Sequence, residues 1–228
     1  MAETGTRTVE RALTLLAAVA QGGGTLSQLA RTANLSPTTA SRLLATLAGQ
    51  DMVRRDEHGR YHAGTRLRQL AAASLRTDPL HELAGSHLAT LAAETGETAN
   101  LAVAADSRRV VYLRQVASPR LVQTAAWAGR TIPRRGTALG AALRGDVGEP
   151  GYIARSGAVE PDVTSIASPV YGAEGEIVAA LSVLAPNYRM TPRRVEACGR
   201  AVARRAAELS ESLGYMVAAP SALSGAAA

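Results

Sequence analysis

The chemistry of this chain is concentrated in four side chains, Thr38, Thr39, Ser41 and Arg42. Three carry a small hydroxyl and one a forked cation, and Ala40, Leu43, Leu44 and Leu47 recur around them at helical spacing. Such a helix has one side to bury and one slim polar side. The major groove of duplex DNA admits it, and hydroxyl and guanidinium groups read base edges there. Arg31, Arg54, Arg55 and Arg60 lie nearby in sequence, and a guanidinium pairs bidentately with phosphate. Ser27 and Thr46 complete the candidate DNA contacts. An ordinary solvated helix face is the competing reading of the same residues.

The stretch that must position them, residues 25–61, reads as helix, tight turn, helix and short basic hairpin. Thr25-Leu26-Ser27-Gln28 fits a capping box, with Leu26, Leu29 and Ala30 as a short apolar face. Asn34 tolerates the left-handed conformation that follows a helix. Ser36 is the expected N-cap of the next helix and Pro37 its first residue, where a missing N–H costs nothing. That helix runs to about Ala48 and Gly49 closes it. Residues 52–55 and 60–62 read as strands around Asp56-Glu57-His58-Gly59, which makes a wing. His58 and His62 on it are expected to meet phosphate or solvent rather than a metal.

Upstream, residues 7–21 read as a helix with the stripe Val9, Ala12, Leu13, Leu16 and Ala20, ending at the flexible breaker Gly22-Gly23-Gly24. Arg7 and Arg11 before an apolar run also fit a signal peptide, but Glu10 interrupts the basic region. Downstream, residues 65–76 read as a linker helix with Leu67, Leu70, Ala71 and Leu75 on one side, and Asp78-Pro79 breaks the chain.

Bulk properties agree with two modest domains. The chain has 228 residues, 46% hydrophobic and 19% charged, with a formal net charge of +6. All 25 basic residues are Arg. Before Pro79 there are 10 Arg against 6 acidic residues, and from there on 15 against 13. The smaller N-terminal part thus holds most of the excess charge, as DNA binding there requires. One cysteine, Cys198, excludes an intrachain disulfide and a multi-cysteine zinc site and suits a cytoplasmic protein. No run approaches the length of a membrane span.

The second part opens with a helix over residues 80–95, with Leu83, His87, Leu88 and Leu91 in its stripe. Strands are expected over residues 98–104, 110–116, 121–125, 163–170 and 177–184, with a small helix from Gly136-Thr137 to Leu143. A last helix begins at Thr191-Pro192 and carries Val195, Cys198, Val202, Ala206, Leu209 and Leu213. The small-residue stretch 218–228 reads as a disordered tail. The fold class is therefore α+β. No catalytic set with plausible geometry occurs, and all four His lie before residue 90. His81 and His87 sit on different faces of one helix, a poor metal geometry. No phosphate-cradling loop is present, and no cofactor is expected.

Several ordered motifs resemble one family. Thr8-Val9-Glu10-Arg11-Ala12-Leu13, Leu26-Ser27-Gln28-Leu29-Ala30 and Arg42-Leu43-Leu44-Ala45-Thr46-Leu47 resemble the N-terminal domain of IclR-type bacterial transcription regulators. Glu94-Thr95-Gly96-Glu97-Thr98, Gly136-Thr137-Ala138-Leu139-Gly140, Ile166-Ala167-Ser168-Pro169-Val170 and Val178-Ala179-Ala180-Leu181-Ser182-Val183 resemble its effector domain. The resemblance implies a winged helix-turn-helix domain over residues 1–63 and a linker helix over 64–79. A GAF-like α/β effector and oligomerisation domain then covers 80–217. It further implies dimers or tetramers that bind palindromic operators in double-stranded DNA and answer to a small effector, carboxylate-bearing or aromatic.

The effector-binding candidates are Asn100, Ala138, Leu139, Arg155, Val163, Ser165 and Ser182. The small helix after Gly136 offers free N–H groups to a carboxylate. Core packing is the competing reading for these positions, and a surface role for Arg155. Two departures from the family stand out. Between Leu143 and Gly151-Tyr152 the family carries some tens of residues, against seven here, so a cover over the pocket is missing or rebuilt. Family members also place an acid ten residues before a cysteine, where this chain has Arg155 and Ser165. The leading expectation is a DNA-binding regulator controlled by an effector. A DNA-binding regulator whose shortened second domain only assembles oligomers is the alternative, and an enzyme is disfavoured.

Overall fold

The structure, a computed structural model, describes residues 3–76 and 78–216. Its contacts divide the chain into two compact units, Met1–Asp78 and Pro79–Ala228. The tail expected at 218–228 lies outside the described residues.

The first unit runs α1 (Glu3–Ala20), β1 (Gly24–Thr25), α2 (Leu26–Thr32), α3 (Pro37–Gly49), β2 (Val53–Arg55), β3 (Arg60–Ala63) and α4 (Thr65–Arg76). The caps form as expected. Thr25 Oγ1 accepts from the Gln28 N–H while Gln28 Oε1 accepts from the Thr25 N–H. Ser36 Oγ accepts from the Thr39 N–H at 3.2 Å, and Pro37 opens α3. Leu15, Val19, Leu29, Ala30, Ala40, Leu43, Leu44, Val53 and Tyr61 form one core.

Three expectations change here. The buried stripe of α1 is Leu15 and Val19, with Ala12 and Leu16 packed beside it, whereas Val9 and Leu13 stay 57% and 58% exposed. Apolar residues ring this helix, so two stripes were available, and contact with α2 and α3 selected one. Gly22-Gly23-Gly24 is more than a breaker, because Gly24 and Thr25 pair with Tyr61 and Arg60 as a third strand of the wing sheet. Gly23 adopts φ +67, and a Cβ there would collide with the Tyr61 carbonyl oxygen. Finally, Gly49 is helical, and Asp51 at φ 55 is the residue that turns the chain away.

The second unit runs α5 (Pro79–Thr95), β4 (Thr98–Ala104), β5 (Arg109–Val116), β6 (Thr131–Pro133), α6 (Ala138–Ala142), β7 (Ile153–Ser156), β8 (Val163–Tyr171), β9 (Ile177–Pro186), a 3-10 turn (Asn187–Arg189) and α7 (Pro192–Ser212). The sheet is antiparallel, in the order β6-β5-β4-β9-β8-β7. Alternation along the strands divides two cores. Leu101, Ile166, Leu181 and Val183 meet Leu88 and Leu91 of α5 and Val202 and Leu209 of α7 on one face. Ala102, Tyr112, Ala180 and Leu184 meet Leu139 and Ala142 of α6 on the other.

The strand expected at 121–125 is absent. Leu121 is fully exposed and Val122 58% exposed, so this segment has no inner face to bury, and β6 takes the place beside β5. The edge strand β7 escaped the sequence reading, since Ile153 is its one strongly strand-forming residue. Glu97 is buried at 1% exposure and takes Arg189 bidentately, Nε to Oε1 at 3.0 Å and Nη2 to Oε2 at 2.7 Å. That pairing raises the Arg189 guanidinium above its ordinary value. Arg189 also donates to the Val122 carbonyl, which anchors the 121–125 segment.

Candidate nucleic-acid interface and effector pocket

α3 divides as the reading face requires. Ala40, Leu43 and Leu44 are buried, while Thr38, Ser41, Arg42 and Thr46 are exposed. Among the described residues the Arg42 guanidinium has no hydrogen-bond or ion-pair partner, so its donors are available. Thr46 Oγ1 donates to the Arg42 carbonyl at 3.1 Å. Thr39 departs from the expectation. It is half-buried, its N–H is donated to Ser36 Oγ, and its Oγ1 accepts from Ser36 at 2.9 Å. It thus helps to cap α3, while its own O–H is committed to no partner among the described residues. Ser27 and Arg31 are exposed on α2.

The wing arginines differ from one another. Arg54 and Arg60 are exposed. Arg55 lies over the Tyr61 ring at 5.7 Å and donates to the Gly59 carbonyl at 3.4 Å, so part of it is spent on the wing itself. Asp56 organises the turn: its Oδ1 accepts from the His58 and Arg60 N–H groups, and its Oδ2 lies 2.7 Å from His62 Nε2. The bond to His62 first, and those backbone donors after it, hold the Asp56 carboxyl below the ordinary carboxylate range. His62 is therefore a brace of the hairpin, a correction to its expected phosphate or solvent contact, while His58 is exposed.

In the second unit, a hollow of about 20 Å³ opens on the α6 face of the sheet, room for roughly one water molecule. Tyr112, Trp127, Ile132, Ala138, Val163 and Leu184 wall it, with Thr137, Ser165, Arg155 and Glu160 as its polar groups. Burial drives the Tyr112 phenol well above its ordinary range, so it stays neutral. The Trp127 backbone N–H donates to Gln115 Oε1 at 2.7 Å, and the Arg130 guanidinium lies over its ring, 5.0 Å from the centre.

Of the expected effector residues, Ala138, Arg155, Val163 and Ser165 line the hollow, and Asn100, Leu139 and Ser182 do not. Leu139 is core. Asn100 and Ser182 are fully buried and stand opposite one another on β4 and β9. They sit one inward position from Leu184 on the same face, and Asn100 Oδ1 and Ser182 Oγ have no hydrogen-bond partner. The N–H cradle is also smaller than expected: α6 has five residues, and Thr137 Oγ1 takes the Gly140 N–H at 3.1 Å. Gly140 lets the Arg134 carbonyl approach where a Cβ would collide. Sequence reasoning placed Trp127, the single tryptophan, beside the pocket as a core or interface anchor, and missed Tyr112, Ile132, Thr137 and Glu160 among the lining residues.

The short link after α6 turns at Gly145, with Arg144 and Asp146 paired at 2.8 Å, and leads directly to Gly151 and β7. Trp127 and Ala158, Val159 and Glu160 of the β7–β8 loop line the hollow.

Among the described residues, no helix is long and apolar enough to cross a membrane, and no group of His, Cys, Asp and Glu is placed to hold a metal. Cys198 is buried in α7, and burial raises its thiol above the ordinary value.

Comparison with known proteins places this geometry. The IclR helix-turn-helix domain matches residues 8–57. The bacterial transcriptional regulator IclR C-terminal domain matches residues 72–145 and 146–211, and the match breaks inside the short link. The chain is similar to the HTH-type transcriptional regulator BhcR of Paracoccus denitrificans, at 26% identity over 90% of this chain and 87% of that one. It is similar to the HTH-type transcriptional repressor AllR of Escherichia coli K12, at 24% identity over 94% and 93%. Its fold is similar to that of an IclR transcriptional regulator from Alicyclobacillus acidocaldarius, with a TM-score of 0.76 and 23% identity over 91% and 99%. An IclR homologue from Microbacterium hydrocarbonoxydans, crystallised with 4-hydroxybenzoate, gives a TM-score of 0.72 and 22% identity over 90% and 98%.

Proposed function

The chain belongs to the IclR family of bacterial transcriptional regulators, and from that membership we propose that it is a cytoplasmic homo-oligomer whose grip on a palindromic operator is set by a small effector. It is a DNA-binding regulator of transcription, and its family and relatives are regulators rather than enzymes. The observation that carries the reading is the division of α3, with Leu43 and Leu44 buried and Thr38, Ser41 and Arg42 outward. Arg42, Ser41 and Thr38 read base edges, and Arg31, Arg54 and Arg60 neutralise phosphates. A dimer must hold its two α3 helices about one DNA turn apart, or a multiple of it. An effector that alters this spacing alters affinity, and the helix at 65–76 is the segment through which the two domains communicate.

The effector enters at the hollow bounded by Trp127, Arg155 and Ser165. The relative solved with 4-hydroxybenzoate supports a small organic acid as its class. Its size of about 20 Å³ favours a second reading, in which this unit serves assembly alone. Retardation of fragments from the protein's own upstream region, with and without small carboxylates, tests both. A shift that a carboxylate changes supports effector control; a shift that none changes supports the second reading; no shift at low ionic strength removes the DNA assignment.

A further inference from the structure

Two opposite charges, Arg155 and Glu160, line the same hollow, and among the described residues neither side chain has an ion-pair or hydrogen-bond partner. Around them the walls are Tyr112, Trp127, Ile132, Val163 and Leu184. A simple carboxylate would satisfy Arg155 and be repelled by Glu160; a simple amine would meet the reverse. On β4, outside the lining of the hollow, the buried Asn100 Oδ1 is an acceptor without a donor. An ammonium brings three donors and a carboxylate brings none. Arg130 lies over the Trp127 ring, 5.0 Å from its centre, and Arg134 donates to the Leu143 carbonyl, so both guanidiniums are engaged elsewhere.

We infer that the effector is a small zwitterion, an α-amino acid with a short apolar side chain, held with its carboxylate on Arg155 and its ammonium on Glu160. This rests on the reading of the hollow as an effector site. Specificity arises from the charges that mismatch, since each one-charge analogue leaves one wall group facing a like charge or no partner. The hollow as it stands, about 20 Å³, has to widen by movement of its walls to take the ligand, which restricts the side chain to a short one. An amino acid would make the protein responsive to nitrogen-bearing metabolites rather than to organic acids at large.

Trp127 is the single tryptophan and it walls the hollow, so its fluorescence in the intact protein reports occupancy. L-alanine is titrated against propionate and ethylamine, which each lack one of its charges; L-valine is titrated against isovalerate and isobutylamine. The expected result is binding of the amino acid at least about tenfold tighter than either analogue, the scale of one charge-assisted hydrogen bond. Glu160→Gln then erases the advantage over the acid, and Arg155→Ala weakens both. Both residues are exposed, so the variants keep the fold, which circular dichroism checks. Propionate binding as tightly as alanine, or an unchanged ratio in Glu160→Gln, overturns the zwitterion. A response to 4-hydroxybenzoate with none to amino acids overturns it too and leaves effector control standing. Silence towards every ligand ends both.

Discussion

Arg155 and Ser165 stand directly opposite one another on the paired strands β7 and β8, although ten residues separate them in the chain. The hairpin between them brings a guanidinium and a hydroxyl to one wall of the hollow. Two donors on one side suit a carboxylate. Arg155→Ala and Ser165→Val are each expected to lower affinity for any responding carboxylate about tenfold, with DNA binding in its absence unchanged. Calorimetric titration checks this, and unaltered binding in both variants removes the wall from the site.

Arg42 projects from α3 with free donors, beside the buried Leu43. Arg42→Ala is expected to cost about 1–3 kcal/mol of operator affinity and to relax preference at one base position. Fluorescence anisotropy with the operator and with single-base variants measures both quantities. Thr39→Ala has a different signature. It removes a cap partner of Ser36, so it lowers the stability of the first unit and leaves base preference intact.

Arg31, Arg54 and Arg60 are exposed and unpaired to acids, and each phosphate they neutralise releases counterion. Log affinity is expected to fall linearly with log salt, with a slope of about −0.9 for each contact. Replacing Arg54 or Arg60 by Ala reduces that slope by about one unit without changing base preference. An unchanged slope removes that residue from the interface.

The wing is expected to loosen in acid. Asp56 has a lowered folded value, so its contribution is present above the ordinary carboxylate value of about 3.9 and is lost as pH falls through the folded one. Amide exchange across residues 56–62 should accelerate there. His62→Ala removes the largest cause of the shift, so acceleration should begin at higher pH. An identical acid profile for the variant refutes the brace.

Glu97→Ala leaves Arg189 half-enclosed without its carboxylate, a change expected to destabilise the second unit by about 3–5 kcal/mol. Chemical denaturation followed by Trp127 fluorescence measures it. Because Arg189 also holds the Val122 carbonyl, faster proteolysis at 121–125 should accompany the loss. Stability within about 1 kcal/mol of the parent would place the energy of this pair at the level of a surface bridge.

What was legible in the sequence was the chemistry that acts within a few residues. Thr25 with Gln28, Ser36 with Pro37 and Thr191 with Pro192 announce their helices because capping is local. What escaped depends on distant partners. The ring of apolar residues on α1 offered two stripes, and only packing against α3 selects Leu15 and Val19. The β-rich composition at 121–125 finds no partner strand, whereas Thr131–Pro133 finds β5. Asn100 and Ser182 were placed on one face by alternation, but depth is invisible to alternation, and both are fully buried and outside the lining of the hollow. Glu160 was not singled out because a loop acid has no pattern until a neighbouring strand gives it an opposite charge to share a cavity with.

Cys198 lies in the α7 interface at 1% exposure with its thiol held protonated by burial. The molecule is therefore blank to maleimides at neutral pH, without any need to remove its native sulfur. A cysteine installed at Gly49, the exposed last residue of α3 where a Cβ meets nothing within 4 Å, would be the one reactive handle in the chain and lies outside the proposed base contacts. If the chain assembles as the proposed dimer, spin labels attached there would give the separation of its two α3 helices as a single distance, measurable on and off DNA.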